Sequence, residues 1–229
     1  MGIKLEKIEK SFRGNRLYKD FSIEFEDGKI NCILGESGCG KTTLLNIISG
    51  LEDFDYGKVF GIESRISYVF QEDRLIEWKN VYENMEIPLR KIYNKEIRDK
   101  KIKKILERMG LIKNIKSFPK ELSGGMRQRV NIARALLYED RLLLMDEPFK
   151  SLDEKSKESV IEVFKEVQVK KKATTIIVTH DIKEAISLGD NLFILGDRPV
   201  NVLESFKDIK KLDEKSIGEK ILCILKNKD

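Results

Sequence analysis

This chain of 229 residues has few cysteines, few prolines and no long apolar run. Its three cysteines, Cys32, Cys39 and Cys223, are an odd number without metal-ligand spacing, so reduced thiols are expected rather than a disulfide framework or a zinc site. No apolar run approaches the roughly 20 residues that a membrane-spanning helix needs. The opening Met-Gly-Ile-Lys-Leu-Glu alternates charges and lacks the apolar stretch of a signal peptide, which predicts a cytosolic protein.

The sequence also lacks internal repeats, low-complexity segments and Pro/Gly-rich linkers, so we expect a single domain over residues 1–229. Its net charge of +5 is spread among many opposite charges. The run Lys170-Lys171-Lys172 could contact nucleic acid or anionic lipid. Because Glu162 and Glu166 lie just upstream, a solvated helix end is the favoured interpretation.

Two apolar patterns predict an α/β fold. Residues 3–8 and 21–25 alternate apolar and polar side chains, as in an antiparallel sheet with one wet face. Continuous apolar runs at 30–34, 142–145 and 175–178 predict strands covered on both faces, with amphipathic helices between them. The sequence therefore indicates a mostly parallel α/β sheet, preceded by an antiparallel β subdomain.

Other segments complete this organisation. Strand signals stop between Gln71 and Ser123, which predicts a helical subdomain inserted at approximately residues 80–125. Residues 191–195 and 200–203 flank a turn and predict a hairpin, and a last helix carries Ile217 and Ile221.

One predicted strand runs into Gly35-Glu36-Ser37-Gly38-Cys39-Gly40-Lys41-Thr42, which fits the nucleotide-binding pattern G-x-x-x-x-G-K-[ST]. Its glycines let backbone N–H groups turn onto phosphates, and the helix that continues through Thr43 presents its N-terminus to them. Lys41 adds positive charge near the β- and γ-phosphates, and Thr42 offers a hydroxyl to Mg²⁺. The segment predicts a phosphate-loop NTPase core with a site for ATP and Mg²⁺; a functionless Gly-rich turn is the alternative.

Two acidic residues, Asp146 and Glu147, follow the apolar run 142–145 at the strand end where ligands collect in open α/β sheets. Asp146 can hold Mg²⁺ through water. Glu147, one residue on, would point elsewhere and could act as the general base that polarises the attacking water. A structural turn before Pro148 is the alternative.

The segment Leu122-Ser123-Gly124-Gly125-Met126-Arg127-Gln128-Arg129, downstream of a phosphate loop, resembles the L-S-G-G-Q signature of the ATP-binding cassette (ABC) family. Ser123, Gly124 and Gly125 can cap a helix and form a second anion site, although an ordinary serine cap is possible. The resemblance implies an ATPase that forms a head-to-tail homodimer, in which each signature closes over ATP on the partner's phosphate loop. ATP binding would hold the two chains together, and hydrolysis would loosen them.

The resemblance also assigns roles to two residues near the phosphate site. His180, the only histidine, follows the run 175–178 and matches the family's switch histidine, which reaches the γ-phosphate. Asp181 and Glu184 fit a capping box behind it. Gln71 matches the Q-loop, which contacts Mg²⁺ or water and reports the nucleotide state to the helical insertion.

Two further assignments leave alternatives open. Asp153 matches the D-loop at the dimer interface, while Ser151 and Glu154 also fit a capping box. Phe12 occupies the place of the aromatic residue that stacks on adenine, and Tyr18 is the rival.

Residues 70–78 and 145–153 resemble the ATPase subunits of bacterial importers for nitrate, sulfonates, taurine and related solutes, with Glu77 where a Pro usually precedes the Trp. That implies transmembrane permease subunits as partners, a solute-binding protein indirectly, no nucleic acid, and a cytoplasmic location peripheral to the membrane. Trp78 is either an anchor for the membrane subunit or a core residue.

Two other functions remain open. A soluble ABC ATPase acting on nucleic acid or ribosomes is disfavoured, because only roughly eighty residues without sustained heptads separate the phosphate loop from the signature. The ATPase of an exporter or lipoprotein-release system is the other.

Overall fold

The apolar runs form buried strands in a computed structural model of the chain, which describes residues 2–62, 65–138 and 140–226. In chain order the elements are β1 (Ile3–Phe12), β2 (Asn15–Phe25), β3 (Ile30–Leu34), α1 (Lys41–Ser49), β4 (Tyr56–Phe60), β5 (Ile66–Val69), α2 (Val81–Glu86), α3 (Lys95–Arg108), α4 (Gly124–Leu137), β6 (Leu142–Asp146), α5 (Glu154–Lys171), β7 (Thr174–Val178), α6 (Ile182–Leu188), β8 (Asn191–Leu195), β9 (Val202–Phe206) and α7 (Glu214–Lys226).

These elements belong to two units. The first comprises the described parts of residues 1–66, 141–147 and 172–229, and the second comprises those of residues 67–140 and 148–171. The second unit contains the whole predicted insertion at 80–125, together with most of β5 and all of α4 and α5. The second unit is therefore larger than the predicted insertion. The absence of strand signals between Gln71 and Ser123 did not predict that α5 packs in the same unit.

The first unit contains two sheets. In the smaller one, β1 pairs antiparallel with both β2 and β4, in the order β2-β1-β4. In the larger one, the order β6-β7-β3-β8-β9 joins parallel strands through β8 and ends with the antiparallel strand β9. Every residue of β3, β6 and β7 is buried, as continuous apolar runs require. The predicted fold class, with its antiparallel β subdomain and mostly parallel core, is confirmed.

Helix ends follow the local sequence. Gly50 adopts a left-handed conformation after α1 and donates its backbone N–H to carbonyls of the last turn. The Asn80 side chain accepts from the Glu83 amide, and Glu83 returns the bond to the Asn80 amide, so α2 begins with a capping box.

Two predicted capping boxes need correction. Asp153, rather than Ser151, caps α5, because its carboxylate accepts from the Ser156 amide at 3.0 Å. Asp181 caps α6 as predicted, but Glu184 accepts from the Thr179 hydroxyl at 2.7 Å instead of from the Asp181 amide.

The hairpin near the end is also shifted. Its second strand begins at Val202 rather than at Val200. Val200 instead donates its amide to the Leu17 carbonyl at 2.8 Å and bridges Tyr18, so the smaller sheet holds this turn. Of the helices in the described ranges, none combines the length and the apolar character that a membrane span requires.

Candidate functional site

The phosphate loop connects β3 to the N-terminus of α1. Gly40 occupies the cap position without a capping side chain, so the first-turn amides at Lys41, Thr42 and Thr43 have no intrahelical acceptor. These amides and the helix dipole favour an anion at this end. On the loop, Gly38 has open space where a Cβ would lie. Glu36 and Ser37 are exposed, whereas Gly35 and Cys39 on either side of the exposed stretch are buried.

Gly40 cannot be replaced without strain. Its φ is 120°, and a Cβ there would lie 3.1 Å from both Tyr18 Oη and Leu17 Cδ1. The Tyr18 hydroxyl donates to the Gly40 carbonyl at 2.8 Å, which fixes the loop against β2. Burial raises the pKa of Tyr18 far above its usual value, so the phenol remains a donor.

Lys41 is a buried cation held by the loop itself. Lys41 is only 5% exposed, and its Nζ donates hydrogen bonds to the carbonyls of Gly35 at 2.8 Å and Glu36 at 2.7 Å. A buried ammonium is costly unless an anion compensates it. Its place beside the free amides of α1 therefore fits the phosphate groups of a nucleotide.

The donor set beside the loop fits Mg²⁺. The Thr42 hydroxyl donates to Asp146 Oδ2 at 2.7 Å, and Asp146 is the last residue of buried β6. Among the described residues, no group of three or more His, Cys, Asp and Glu side chains could hold a metal by itself. Mg²⁺ is commonly bound through one or two protein oxygens together with phosphates and waters, and this pair offers that arrangement.

Glu147 turns away from Asp146 through an uncommon backbone conformation. Its φ is 44°, in the left-handed region, and its amide donates to the Val178 carbonyl of β7 at 2.9 Å. The carboxylate thereby lies beside the end of β7, where Glu147 Oε1 is 3.2 Å from His180 Nδ1. The expectation that the two acids point in different directions is met.

The end of β7 positions His180. The Thr179 hydroxyl accepts from the Asp181 amide at 3.1 Å, and the Asp181 carboxylate caps α6 through the Lys183 amide at 2.9 Å. These bonds hold the backbone on both sides of His180, whose own side chain is exposed to an incoming ligand. The pair Glu147–His180 can orient a water and accept its proton.

The choice between the two aromatic residues is resolved by burial. Phe12 is 43% exposed at the end of β1, with Lys10 Nζ 4.7 Å from its ring centroid. Tyr18 is completely buried, so it has no face for a base. Tyr18 is thus excluded as the stacking residue, and the role of Phe12 stays a prediction.

The signature segment lies in the second unit, at the start of α4. Ser123 Oγ accepts from the Met126 amide at 3.3 Å, which confirms the predicted cap. A Cβ on Gly124 would meet nothing within 4 Å, whereas one on Gly125 would lie 3.3 Å from the Ser151 carbonyl. The open side at Gly124 leaves room for a ligand at this helix end.

Sequence reasoning missed a set of bonds that tie α4 to the segment after β5. Arg127 Nε donates to Asp73 Oδ2 at 2.7 Å and its Nη2 to Glu77 Oε1 at 2.8 Å. Burial alone would raise the pKa of Asp73, but the bonds from Arg127 outweigh it and the pKa is lowered. The opposite charges of the two segments were visible, but their pairing across 54 positions was not.

The same segment carries two predicted residues. Gln71 is exposed just beyond β5. Trp78 is 79% exposed, so the interpretation of it as a core residue is wrong and the alternative of an anchor remains. Asp153 is exposed as well as capping α5. The functional roles of Gln71, Asp153 and the signature residues stay predictions.

Comparisons with known proteins identify relatives over most of the chain. Residues 18–150 match the family described as ABC transporter. The aliphatic sulfonates import ATP-binding protein SsuB 1 of Pseudomonas savastanoi pv. phaseolicola is 36% identical, over 89% of this chain and 84% of its own. The SsuB protein of Bacillus cereus is also 36% identical, with 92% and 94% covered.

A solved structure agrees with these sequences. The dimeric post-hydrolysis state of an ATP-binding cassette bound to ADP and Pi matches with a TM-score of 0.81 and 30% identity, over 90% of this chain and 98% of that one.

Proposed function

This chain belongs to the ABC transporter family and is an ATPase that uses ATP and Mg²⁺; from that premise we propose that it powers the import of a small organic anion resembling an aliphatic sulfonate. The relatives named above are import proteins for aliphatic sulfonates and align over most of their length. The observation that carries the catalytic assignment is the pair Glu147–His180, next to Asp146 and its partner Thr42.

The proposal gives nucleotide-binding roles to the start of α1, which includes Lys41 and Thr42, and to Asp146, Gln71 and Phe12 elsewhere in the chain. The amides at the start of α1 bind the phosphates, and Lys41 exchanges its bonds to the Gly35 and Glu36 carbonyls for phosphate oxygens. Thr42 and Asp146 hold Mg²⁺, with Gln71 as a further contact, and the ion neutralises charge on the phosphates when bound. Phe12 stacks on adenine.

Hydrolysis then depends on the ends of β6 and β7. Water attacks the γ-phosphorus, its proton passes to Glu147, and the bond to the ADP oxygen breaks. His180 holds the carboxylate by its 3.2 Å contact and adds a donor to the γ-phosphate. The uncommon backbone conformation of Glu147 keeps the base directed at the water.

Coupling to transport requires partners. We propose that residues 1–229 act as one ABC domain, with a helical subdomain inserted at about residues 80–125. This domain forms an ATP-dependent homodimer. Ser123, Gly124 and Gly125 close over the partner's nucleotide, with Asp153 at the same interface. A permease would bind near the exposed Trp78. The subunit would then lie on the cytoplasmic face of the membrane, and a solute-binding protein would deliver the solute outside.

The general base can be tested with Glu147→Gln. This variant keeps the shape of the side chain and loses proton acceptance, so we expect at least about 100-fold slower hydrolysis with retained ATP binding. It should also accumulate as an ATP-bound dimer in size-exclusion chromatography. Glu204→Gln, on exposed β9, is the matched control and should hydrolyse normally. Normal turnover in Glu147→Gln would remove Glu147 from the mechanism.

The solute needs a separate experiment. A strain that lacks this protein should lose uptake of radiolabelled alkanesulfonates and regain it with the wild-type chain but not with Glu147→Gln. Unchanged uptake in that strain would reject the solute assignment while leaving the ATPase assignment intact.

A further inference from the structure

A groove in the second unit, formed by α3, α4 and α5, contains none of the residues assigned to nucleotide chemistry. Its volume is about 330 Å³. Cavities of about 300–1,000 Å³ are the usual size of small-molecule sites. It includes Lys170 and Lys171 of the basic run 170–172, for which a solvated helix end is the favoured interpretation from sequence.

The floor of the groove is apolar. Ile105, Leu136, Leu137 and Val167 line it, and the first three are buried. An aliphatic chain laid on this floor would lose its contact with water, which is worth about fourfold in affinity per buried methylene.

The rim of the groove is cationic. Arg108 and Lys171 each form an ion pair with another residue of the unit. Arg108 Nη2 lies 2.7 Å from Glu166 Oε1, and Lys171 Nζ lies 3.2 Å from Asp140 Oδ1. Lys101 also lines the groove, with its Nζ 4.4 Å from the ring centroid of Tyr93.

Two lysines of the rim remain available. Lys104 on α3 and Lys170 on α5 are exposed, and neither forms an ion pair within the part of the chain that the structure describes. They line the groove from two different helices. An anionic group between them would gain two charge-assisted hydrogen bonds.

We propose that this groove is a second ligand site, for a small organic anion with an aliphatic chain and a sulfonate, carboxylate or phosphate head. Nucleic acid would use the charges but has no use for a recessed apolar floor. A membrane surface requires apolar side chains that protrude, and here they are buried between helices. The proposal does not depend on which solute is transported.

The test uses 1-hexanesulfonate as the probe and isothermal titration calorimetry on the full chain at low ionic strength. Saturating Mg-ADP fills the phosphate loop, so that the probe cannot bind there. Methanesulfonate should bind at least about tenfold more weakly than hexanesulfonate, because it leaves the floor uncovered. The variant Lys104→Gln/Lys170→Gln should weaken hexanesulfonate binding by at least about tenfold.

The matched control is Lys103→Gln/Lys165→Gln, which removes two exposed lysines from the same helices outside the groove. It should bind hexanesulfonate as the wild type does. Three results overturn the proposal: no binding of hexanesulfonate, affinity independent of chain length, or equal losses in the two double variants. Co-sedimentation with phosphatidylglycerol vesicles that needs Lys104 and Lys170 would assign the groove to the membrane and also overturn it.

Discussion

Gly40 and Glu147 both have positive φ angles beside the phosphate site, for different reasons. Gly40 reaches 120° at no cost because it has no Cβ. Glu147 reaches 44° at a cost of about 1–3 kcal/mol, which the surrounding bonds must offset. Two interactions hold this conformation: the hydrogen bond from the Glu147 amide to the Val178 carbonyl, and the contact of the Glu147 carboxylate with His180.

Replacing Gly40 separates backbone strain from steric contact. Gly40→Ala places a methyl group 3.1 Å from Tyr18 Oη and Leu17 Cδ1, so we expect a loss of at least about 2 kcal/mol in unfolding free energy and weaker ATP binding. Gly14→Ala is the matched control, because Gly14 has φ 83° and open space around the Cβ position. Urea denaturation and a fluorescent ATP analogue measure both quantities. Equal effects of the two changes would show that contact with Tyr18 is unimportant.

The sequence identifies single residues well where a motif fixes the chemistry and poorly where burial decides. The positions of Lys41, Asp146 and Glu147 could be predicted because the motifs place them at a loop and at a strand end, and their roles with phosphate and Mg²⁺ stay predictions. Tyr18 and Phe12 look alike in the sequence. Only the packing of β2 against the loop shows that Tyr18 is buried and supports Gly40.

At the scale of elements, the buried strands could be predicted from the sequence, whereas the ion pairs could not. The continuous apolar runs predicted β3, β6 and β7 because a strand covered on both faces must be apolar throughout. Ion pairs within the second unit were not predictable. Glu86 pairs with Arg98, twelve positions later, only because α3 packs back onto α2.

Glu86 is buried at the end of α2, and its two carboxylate oxygens pair with Arg98 on α3 and with Arg90 in the segment between the helices. Oε2 accepts from Arg90 Nη2 at 2.8 Å and Oε1 from Arg98 Nη2 at 2.9 Å. Glu86→Gln leaves two guanidinium groups without their anion, so we expect a loss of about 3 kcal/mol in unfolding free energy. Glu96→Gln breaks an exposed pair with Lys100 and should cost less than about 1 kcal/mol.

The effect of Glu86 should depend on pH. Burial alone would raise its pKa, but the bonds from Arg90 and Arg98 prevail and the pKa is lowered. A lowered folded-state pKa stabilises the fold above the unfolded-state value of about 4.3, and the stabilisation disappears as pH falls through the folded-state pKa. The difference between wild type and Glu86→Gln in urea denaturation should therefore be largest near neutral pH and shrink below about pH 4. A difference that grows in acid would contradict this assignment.

At the scale of the whole molecule, the sequence already implied that one chain is insufficient. The phosphate loop is in the first unit and the signature is in the second, and each can bind an anion at a helix N-terminus. In the homodimer that we propose, a twofold pair of chains would use both elements twice, once in each composite site. The similar cassette solved with ADP and Pi is a dimer. The transported solute is a different matter, because the motifs of this chain are assigned to nucleotide chemistry and do not identify it.

Mixing two inactive variants tests the composite site directly. Lys41→Ala disables the phosphate loop and leaves the signature intact, while Ser123→Arg blocks the signature and leaves the loop intact. Random pairing of equal amounts makes half of the dimers mixed, and each mixed dimer has one intact site of two. If the sites act independently, the mixture should recover about a quarter of wild-type ATPase activity. Lys41→Ala mixed with the double variant Lys41→Ala/Ser123→Arg should recover none, because no intact loop is present. No recovery in the first mixture would mean that each signature serves the phosphate loop of its own chain, and head-to-tail pairing would then be wrong.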